Sequence, residues 1–285
     1  MHINISIHSD LIEKYLVKRK EFNKTTLEYN LVSIIENPKN NIVLSKIYLN
    51  FLDEKFQPNS ELYNDFMTFM TYIIDEKSEI IESNNANDIE EEFKYISNCC
   101  RKTTIAIIEG VNSFNIKPIL SLTEIENCPI SKSFLGILKD RKAVLRYNDF
   151  DSNSKIETYF KEIFNLPRNI TSTIVIERHA NISHPFFDFF SENNILVKYY
   201  KLRATLADGN SLKRKFNRLE LYSTTNGELI HERLIIFGCL VVNLDEDPMN
   251  LDIARKTWSI TMTYSNQEAI NLTSKCNAFA RVGFI

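Results

Sequence analysis

Glycine is scarce in this 285-residue chain, six in all, and the few that occur are scattered. Neither G-x-G-x-x-G nor G-x-x-x-x-G-K-[ST] can be assembled, so no glycine-rich loop of either standard kind is available to cradle a nucleotide's phosphates. Cysteine is sparse too. The five residues are an odd number without Cys-x-x-Cys spacing, which indicates neither a disulfide framework nor a zinc ribbon. No apolar run approaches the roughly 20 residues of a membrane-spanning helix. An excess of one charge is also lacking: 34 basic residues face 37 acidic ones, a net charge of −3, which argues against a general nucleic-acid coat. The opening Met-His-Ile-Asn-Ile-Ser lacks the basic segment and long apolar run of a secretory signal, so the expected location is cytoplasmic.

What is present is an ordinary globular composition, 44% hydrophobic and 25% charged, long enough for one large or two medium domains. The first half reads as helix-rich α/β. Residues 10–22, 42–52, 60–83 and 88–100 repeat apolar side chains at three- and four-residue spacing, and 3–7, 104–108 and 118–122 read as short strands. In the second half, helices at 155–164 and 185–192 alternate with strands at 173–177, 196–202, 219–223, 229–237, 239–244 and 257–264. A last strand is expected at 278–285. That alternation predicts a second α/β layered domain. The expected division is 1–145 and 146–285.

Among five histidines, His231 stands out. Asn226-Gly227 signals a turn, and the residues after it alternate into a strand that puts His231 and Arg233 on one face. An imidazole beside a permanent cation suits a phosphate ester, since the cation offsets charge on the non-bridging oxygens while the imidazole attacks phosphorus or donates a proton. The segment His231-Glu232-Arg233-Leu234-Ile235-Ile236, followed by Cys239-Leu240-Val241-Val242, resembles the His-x-Arg or His-x-Lys strand pair of phospholipase D-like domains. The strand Ile174-Val175-Ile176-Glu177, the helix through residues 186–190 and the strand 197–202 are similar in order to the first half of that fold. The resemblance implies a phospholipase D-like α/β domain at 146–285. It also implies metal-free chemistry on phosphodiesters, with no cofactor, and a nuclease (hydrolase) in a microbial, antiviral-defence or toxin setting. Because the chain carries one such motif, an active site would need a homodimer or a second histidine, for which His179 and His184 are candidates. The alternative is an inert fold that holds a phosphate-bearing or protein partner.

Two further constellations bear on the same question. Lys213, Arg214, Lys215 and Arg218, with Lys201 and Arg203 upstream, form a basic set. On a helix Arg214 and Arg218 would share a face and contact a nucleic-acid backbone, with Phe216 as the opposite anchor. In the first half, Asp10, Asp53 and Asp88 are spaced as the acidic ligands of a Mg²⁺-dependent PIN-type nuclease are, a weaker resemblance that would put metal chemistry there instead.

Overall fold

The computed structural model describes residues 2–82, 86–99, 104–111, 113, 116–179, 181–230 and 232–283. The chain is α/β in two units, Met1–Asp140 and Arg141–Ile285. No helix among the described residues is long and apolar enough to cross a membrane.

The first unit is built on five parallel strands, β1 (Ile3–Ile7), β2 (Asn40–Ser45), β3 (Ser78–Ile81), β4 (Thr104–Ile108) and β5 (Ile119–Ser121), in the order β3-β2-β1-β4-β5. Every residue of β1 and β4 is buried, so both sheet faces are covered. One contacting set of helices is α1 (Ser9–Lys18), α2 (Thr26–Glu36), α4 (Tyr63–Tyr72) and α6 (Pro129–Asp140); the other is α3 (Lys46–Lys55) with α5 (Ile89–Cys99). Local chemistry sets the helix starts. Thr25 and Glu28 form a reciprocal capping box at α2, and Ser45 Oγ accepts from the Tyr48 N–H at 3.0 Å to open α3.

Two expected helices prove to be composite. Residues 42–52 divide into β2 and the start of α3. Residues 60–83 divide into α4, a π-helical turn Ile73–Lys77, and β3. A parallel strand covered on both faces has no polar alternation, so when it runs directly into a helix the apolar spacing reads as one long helix.

The second unit holds an eight-stranded mixed sheet in the order β13-β9-β8-β7-β10-β11-β12-β6. Its strands are β6 (Lys142–Arg146), β7 (Ser172–Ile176), β8 (Leu196–Leu202), β9 (Leu219–Thr224), β10 (Arg233–Phe237), β11 (Leu240–Leu244), β12 (Ser259–Tyr264) and β13 (Ala280–Val282). Strand β6, on the N-terminal side of the expected division, pairs with β12. Strands β7, β8 and β9 run parallel, linked through α8 (Asp188–Glu192) and α9 (Leu206–Lys213); the remaining pairs are antiparallel. Before β7 comes α7 (Asn153–Phe164), and α10 (Asn266–Lys275) separates β12 from β13.

Phenylalanines from α7 and the α8 region form one layer of the core, with Phe160 and Phe186 stacked at 4.4 Å and Phe164, Phe189 and Phe190 beside Phe237. A second apolar cluster joins Ile176, Tyr200, Leu234, Ile236 and Val241 to Ala269 of α10 and Phe279. The β10–β11 hairpin turns through Gly238 and Cys239. Gly238 has φ +61°, and a Cβ there would come within 2.7 Å of Ile170 Cδ1, so this turn requires glycine. Trp258 is buried, and its indole N–H donates to the Asp252 carbonyl at 2.8 Å.

Lys77, at the end of the π-helical turn, is 4% exposed. Its ammonium donates to the Ile35 carbonyl in the last turn of α2 and lies 5.7 Å from the Tyr72 ring centre. Burial lowers its pKa to about 8, against an upward pull from Glu36. Between pH 8 and the ordinary lysine value the unfolded chain binds more protons than the folded one, so this residue's contribution to stability rises with pH. The unfolding free energy of wild type relative to Lys77→Met is expected to shift in favour of wild type by about 3 kcal/mol across that interval. Denaturant melts at pH 7.5 and at pH 10.5 measure it.

Candidate functional site at the carboxyl edge of the second sheet

Parallel strands point their carboxyl ends, and the loops that follow, to one edge of a sheet, where α/β proteins characteristically hold ligands. In the second unit that edge receives the residues after β7, β8 and β9. Because β10 is antiparallel to β7, with Leu234 opposite Ile176, it also receives the start of β10 and the end of β11. Glu177, Arg178, His179, Arg203, Arg233 and Asp245 therefore belong to one edge.

Glu177 organises it. The residue is 1% exposed, and its backbone N–H donates to the Tyr200 carbonyl at 3.1 Å, extending β7 by one step. The carboxylate accepts the His179 N–H at 2.8 Å on both oxygens, the Asn181 N–H at 3.1 Å and the Tyr199 hydroxyl at 3.1 Å. No cation pairs with it among the described residues; these donors replace the water it has lost. Tyr199 is itself buried, and burial together with the adjacent carboxylate pushes its phenol well above the ordinary value, so it stays protonated as a donor. The loop after β7 is thus fixed through its backbone, leaving the side chains of Arg178 and His179 exposed.

Arg233 opens β10 half-buried. Its Nη1 donates to the Asp245 carbonyl at 3.1 Å, and its Nε is buried without a partner among the described residues. Asp245 in turn uses its carboxylate on the Ser259 N–H at 2.7 Å and the Ser259 hydroxyl at 2.6 Å, tying the end of β11 to the start of β12. The strand expected at 229–237 begins only at Arg233, because Asn226 caps a 3₁₀ turn over Gly227–Leu229. The expected shared strand face of His231 and Arg233 therefore does not extend through the described residues, and His231 lies outside them.

His184, the other candidate partner imidazole, is structural. Its Nδ1 accepts from the Phe186 N–H at 3.3 Å as the N-cap of the turn Pro185–Phe187, and its ring packs 4.8 Å from Phe186. Burial lowers its pKa to about 4, against a backbone hydrogen bond with Leu251 that raises it.

The basic set divides. Helix α9 ends at Lys213 and the chain turns before β9, so Arg214 and Arg218 do not share a helical face. Phe216 is buried and pins that turn; its aromatic ring, read as a helix anchor, is what made the helix seem to continue. Lys215 pairs with Asp188, and Arg218 Nη1 donates to the Asn194 carbonyl at 3.2 Å; Lys213, Arg214 and Arg218 are exposed. These residues precede β9 and lie at the amino edge of the parallel strands. Arg203, after β8, lies at the opposite edge, with the seven residues of β8, roughly 20 Å, between the two.

In the first unit, Asp10, Asp53 and Asp88 do not converge. Asp10 sits in the first turn of α1 and accepts from Lys55 Nζ at 2.7 Å, the bond that chiefly lowers its pKa. Asp53 is exposed on α3, and Asp88 Oδ1 accepts the Glu91 N–H at 2.8 Å to cap α5. Among the described residues no group of three or more His, Cys, Asp or Glu side chains is arranged to hold a metal ion. Ion pairing accounts for Asp10 and capping for Asp88, and the spacing that suggested a metal site does not bring the three acids together.

Sequence reasoning missed Glu177 and Arg178. The signal was available: a short apolar strand, Ser172–Ile176, that ends abruptly in Glu-Arg-His, three chemistry-bearing residues where a parallel strand delivers its loop.

No protein-family model matches the chain, and no curated protein does. Solved structures that resemble parts of it include an archaeal chromatin protein described as showing a novel mode of DNA binding (TM-score 0.32, 11% identity, 50% of this chain and 54% of that one). NucT from Helicobacter pylori aligns at TM-score 0.36 and 11% identity, over 50% of this chain and 98% of its own. Nuc from Salmonella typhimurium, a phospholipase D family member, aligns at TM-score 0.33 and 11% identity, over 50% and 97%. This chain spans about half the length of the chromatin protein, and similarities of this size assign no chemistry.

Two outcomes follow from the site's construction. Glu177→Ala orphans two backbone N–H groups and the Tyr199 hydroxyl, so a loss of about 3 kcal/mol is expected, against about 1 kcal/mol for Tyr199→Phe, both read by urea denaturation. For His184 the unfolded chain binds more protons than the folded one between about pH 4 and 6.5, so stability falls as pH drops through that window. The loss is about 2 kcal/mol after allowing for partial exposure, and His184→Asn should remove it from the acid melting profile.

Proposed function

We propose that this protein acts on, or binds, phosphodiesters at the carboxyl edge of the second sheet, most specifically as a metal-independent nuclease. The observation that carries the reading is the loop after β7, where Glu177 fixes the backbone and leaves Arg178 and His179 exposed beside the start of β10. Arg178 supplies charge to the non-bridging oxygens. His179 and His231 are the two imidazoles the chemistry requires, one from the β7 loop and one from the segment before β10. One imidazole nitrogen attacks phosphorus, the bond to the leaving alcohol breaks, and that oxygen takes its proton from the other imidazolium. Water then cleaves the phosphohistidine, restoring both groups.

Positive charge for the phosphate comes from the β7–β8 side of the edge more than from Arg233. Glu232, Asp245, Glu246 and Asp247 surround the start of β10 in sequence and register, and Arg233 already uses one nitrogen on a carbonyl. In this reading Arg233 braces the strand and contributes a diffuse positive charge. The microbial-defence setting belongs to the same proposal through the resemblance of residues 231–236 to the His-x-Arg motif, as does assembly into a homodimer, which would bring two such motifs together. A second reading, phosphate binding without cleavage, is favoured by the engagement of Arg233.

Incubation of the full chain with labelled single- and double-stranded nucleic acid in EDTA is the test. Cleavage that persists in EDTA and falls at least about a hundredfold in both His179→Ala and His231→Ala is expected. Activity abolished by EDTA and restored by Mg²⁺ would overturn the reading in favour of metal chemistry, and salt-dependent binding without cleavage would leave the binding role alone standing.

A further inference from the structure

Four residues other than glycine adopt a left-handed backbone among the described residues: Arg141 (φ 60°), Asn169 (φ 60°), Asn194 (φ 51°) and Arg203 (φ 50°). Asparagine enters this region readily because its short amide satisfies local backbone groups; arginine has no such compensation. Arg141 has a structural reason to be there. It follows α6 as a left-handed helix terminator, its side chain is half-buried, and its carbonyl accepts the Tyr264 N–H at 2.8 Å. Arg203 terminates no helix, and nothing in the fold of the described residues engages its side chain. Its side chain is exposed and has no hydrogen-bond or ion-pair partner among the described residues, although Lys201, two residues earlier, pairs with Asp208 at 3.3 Å.

The backbone at this position is nevertheless held firmly. The Arg203 N–H donates to the Thr224 carbonyl at 2.8 Å, and the Ala204 N–H donates to Ser223 Oγ at 2.8 Å, so the turn after β8 is stapled to the end of β9. Such a turn is best served by glycine, yet it carries a long cation that the fold does not use. The turn opens at the carboxyl edge, on the strand next to the one that delivers Arg178 and His179; Ile176 is opposite Tyr200, and the Glu177 N–H reaches the Tyr200 carbonyl.

We infer that Arg203 is a phosphate-binding residue, held in a glycine-like turn so that its guanidinium meets the non-bridging oxygens of a nucleic-acid phosphodiester at the β7–β8 edge. This deepens the proposed function and rests on it. The planar fork of the guanidinium suits two oxygens of one phosphate, a geometry that lysine does not reproduce.

The test compares stability with binding in the full chain, using Arg203→Gly, Arg203→Asn, Arg178→Ala and His179→Ala. The probe is a fluorescein-labelled single-stranded oligonucleotide in EDTA, titrated over a range of salt, with inorganic phosphate as competitor. Arg203→Gly and Arg203→Asn are expected to melt no lower than wild type, with a rise of up to about 4 °C for glycine. Both should bind the oligonucleotide at least about tenfold more weakly, and the slope of log affinity against log salt should shrink by about 0.7, as loss of one phosphate contact to a single strand requires. Inorganic phosphate should compete only at much higher concentration if the diester backbone is the ligand; equal competition by phosphate would overturn the nucleic-acid assignment. A lower melting temperature in Arg203→Gly would show the residue to be structural and overturn the inference. Unchanged affinity and salt slope in the Arg203 variants, alongside loss in Arg178→Ala and His179→Ala, would overturn the inference while the proposed site stands. No binding by wild type would sink both.

Discussion

A carboxylate deprived of water has to be solvated by the protein, and the way Glu177 meets that requirement sets the form of the second unit's carboxyl edge. Two backbone N–H groups and a buried phenol replace its hydration shell. Each donor it recruits fixes something else. Tyr199 ties the carboxylate to β8, the His179 and Asn181 amides fold the loop after β7 into one path, and that path sends two side chains outward. Because the carboxylate acts on the backbone of His179 and not on its ring, it orients the loop without committing the imidazole to a partner. A histidine available for chemistry needs that separation.

The same sheet explains why its charged residues fall into three groups with different uses. Acidic side chains gather where β10 and β11 meet the edge; there Asp245 is spent on Ser259 and Arg233 on a carbonyl, so the charges serve the joints between antiparallel strands. The exposed cations Arg178 and Arg203 lie where the parallel strands β7 and β8 deliver their loops. A third group, Lys213, Arg214 and Arg218, sits at the amino edge, separated from the second by the length of a strand. Proximity in sequence misleads here because Arg203 and Arg214 are near each other in the chain, yet the helix between them returns the chain to the opposite edge.

Legibility in the sequence followed burial pattern. Strands bounded by turns or charges, such as β4, β7 and β8, were readable from short β-branched or aromatic runs. β2 and β3 were not, because strands sealed on both faces merge with the helices they adjoin. At the site, the residue types were legible and their relations were not. His179 could be named from composition alone, but the role of Glu177 depends on a phenol twenty-two positions away that only pairing of β7 with β8 brings into reach. The histidine and arginine of the β10 segment illustrate the converse. The Asn-Gly pair predicts period-two alternation from the turn onward, whereas the asparagine caps a 3₁₀ turn and the strand begins at Arg233.

The scarcity of glycine offers a competing account of Arg203 that the structure itself answers. A chain with six glycines must fill some left-handed positions with other residues, and one plentiful in asparagine has a substitute that costs little. Asn169 and Asn194 fit that account, and Arg141 fits a helix terminator. Arg203 fits neither. Composition would have supplied asparagine there as it did at the other two turns, and a helix terminator would have followed a helix, whereas this residue follows a strand. The hydrogen bonds to Thr224 and Ser223 sustain a backbone cost of about 1 kcal/mol at this turn, but they do not account for a long cation standing there in place of asparagine. With no partner for the guanidinium among the described residues, the side chain is left to water or to a ligand, and an anion at the carboxyl edge is the ligand whose charge Arg203 and Arg178 would both meet.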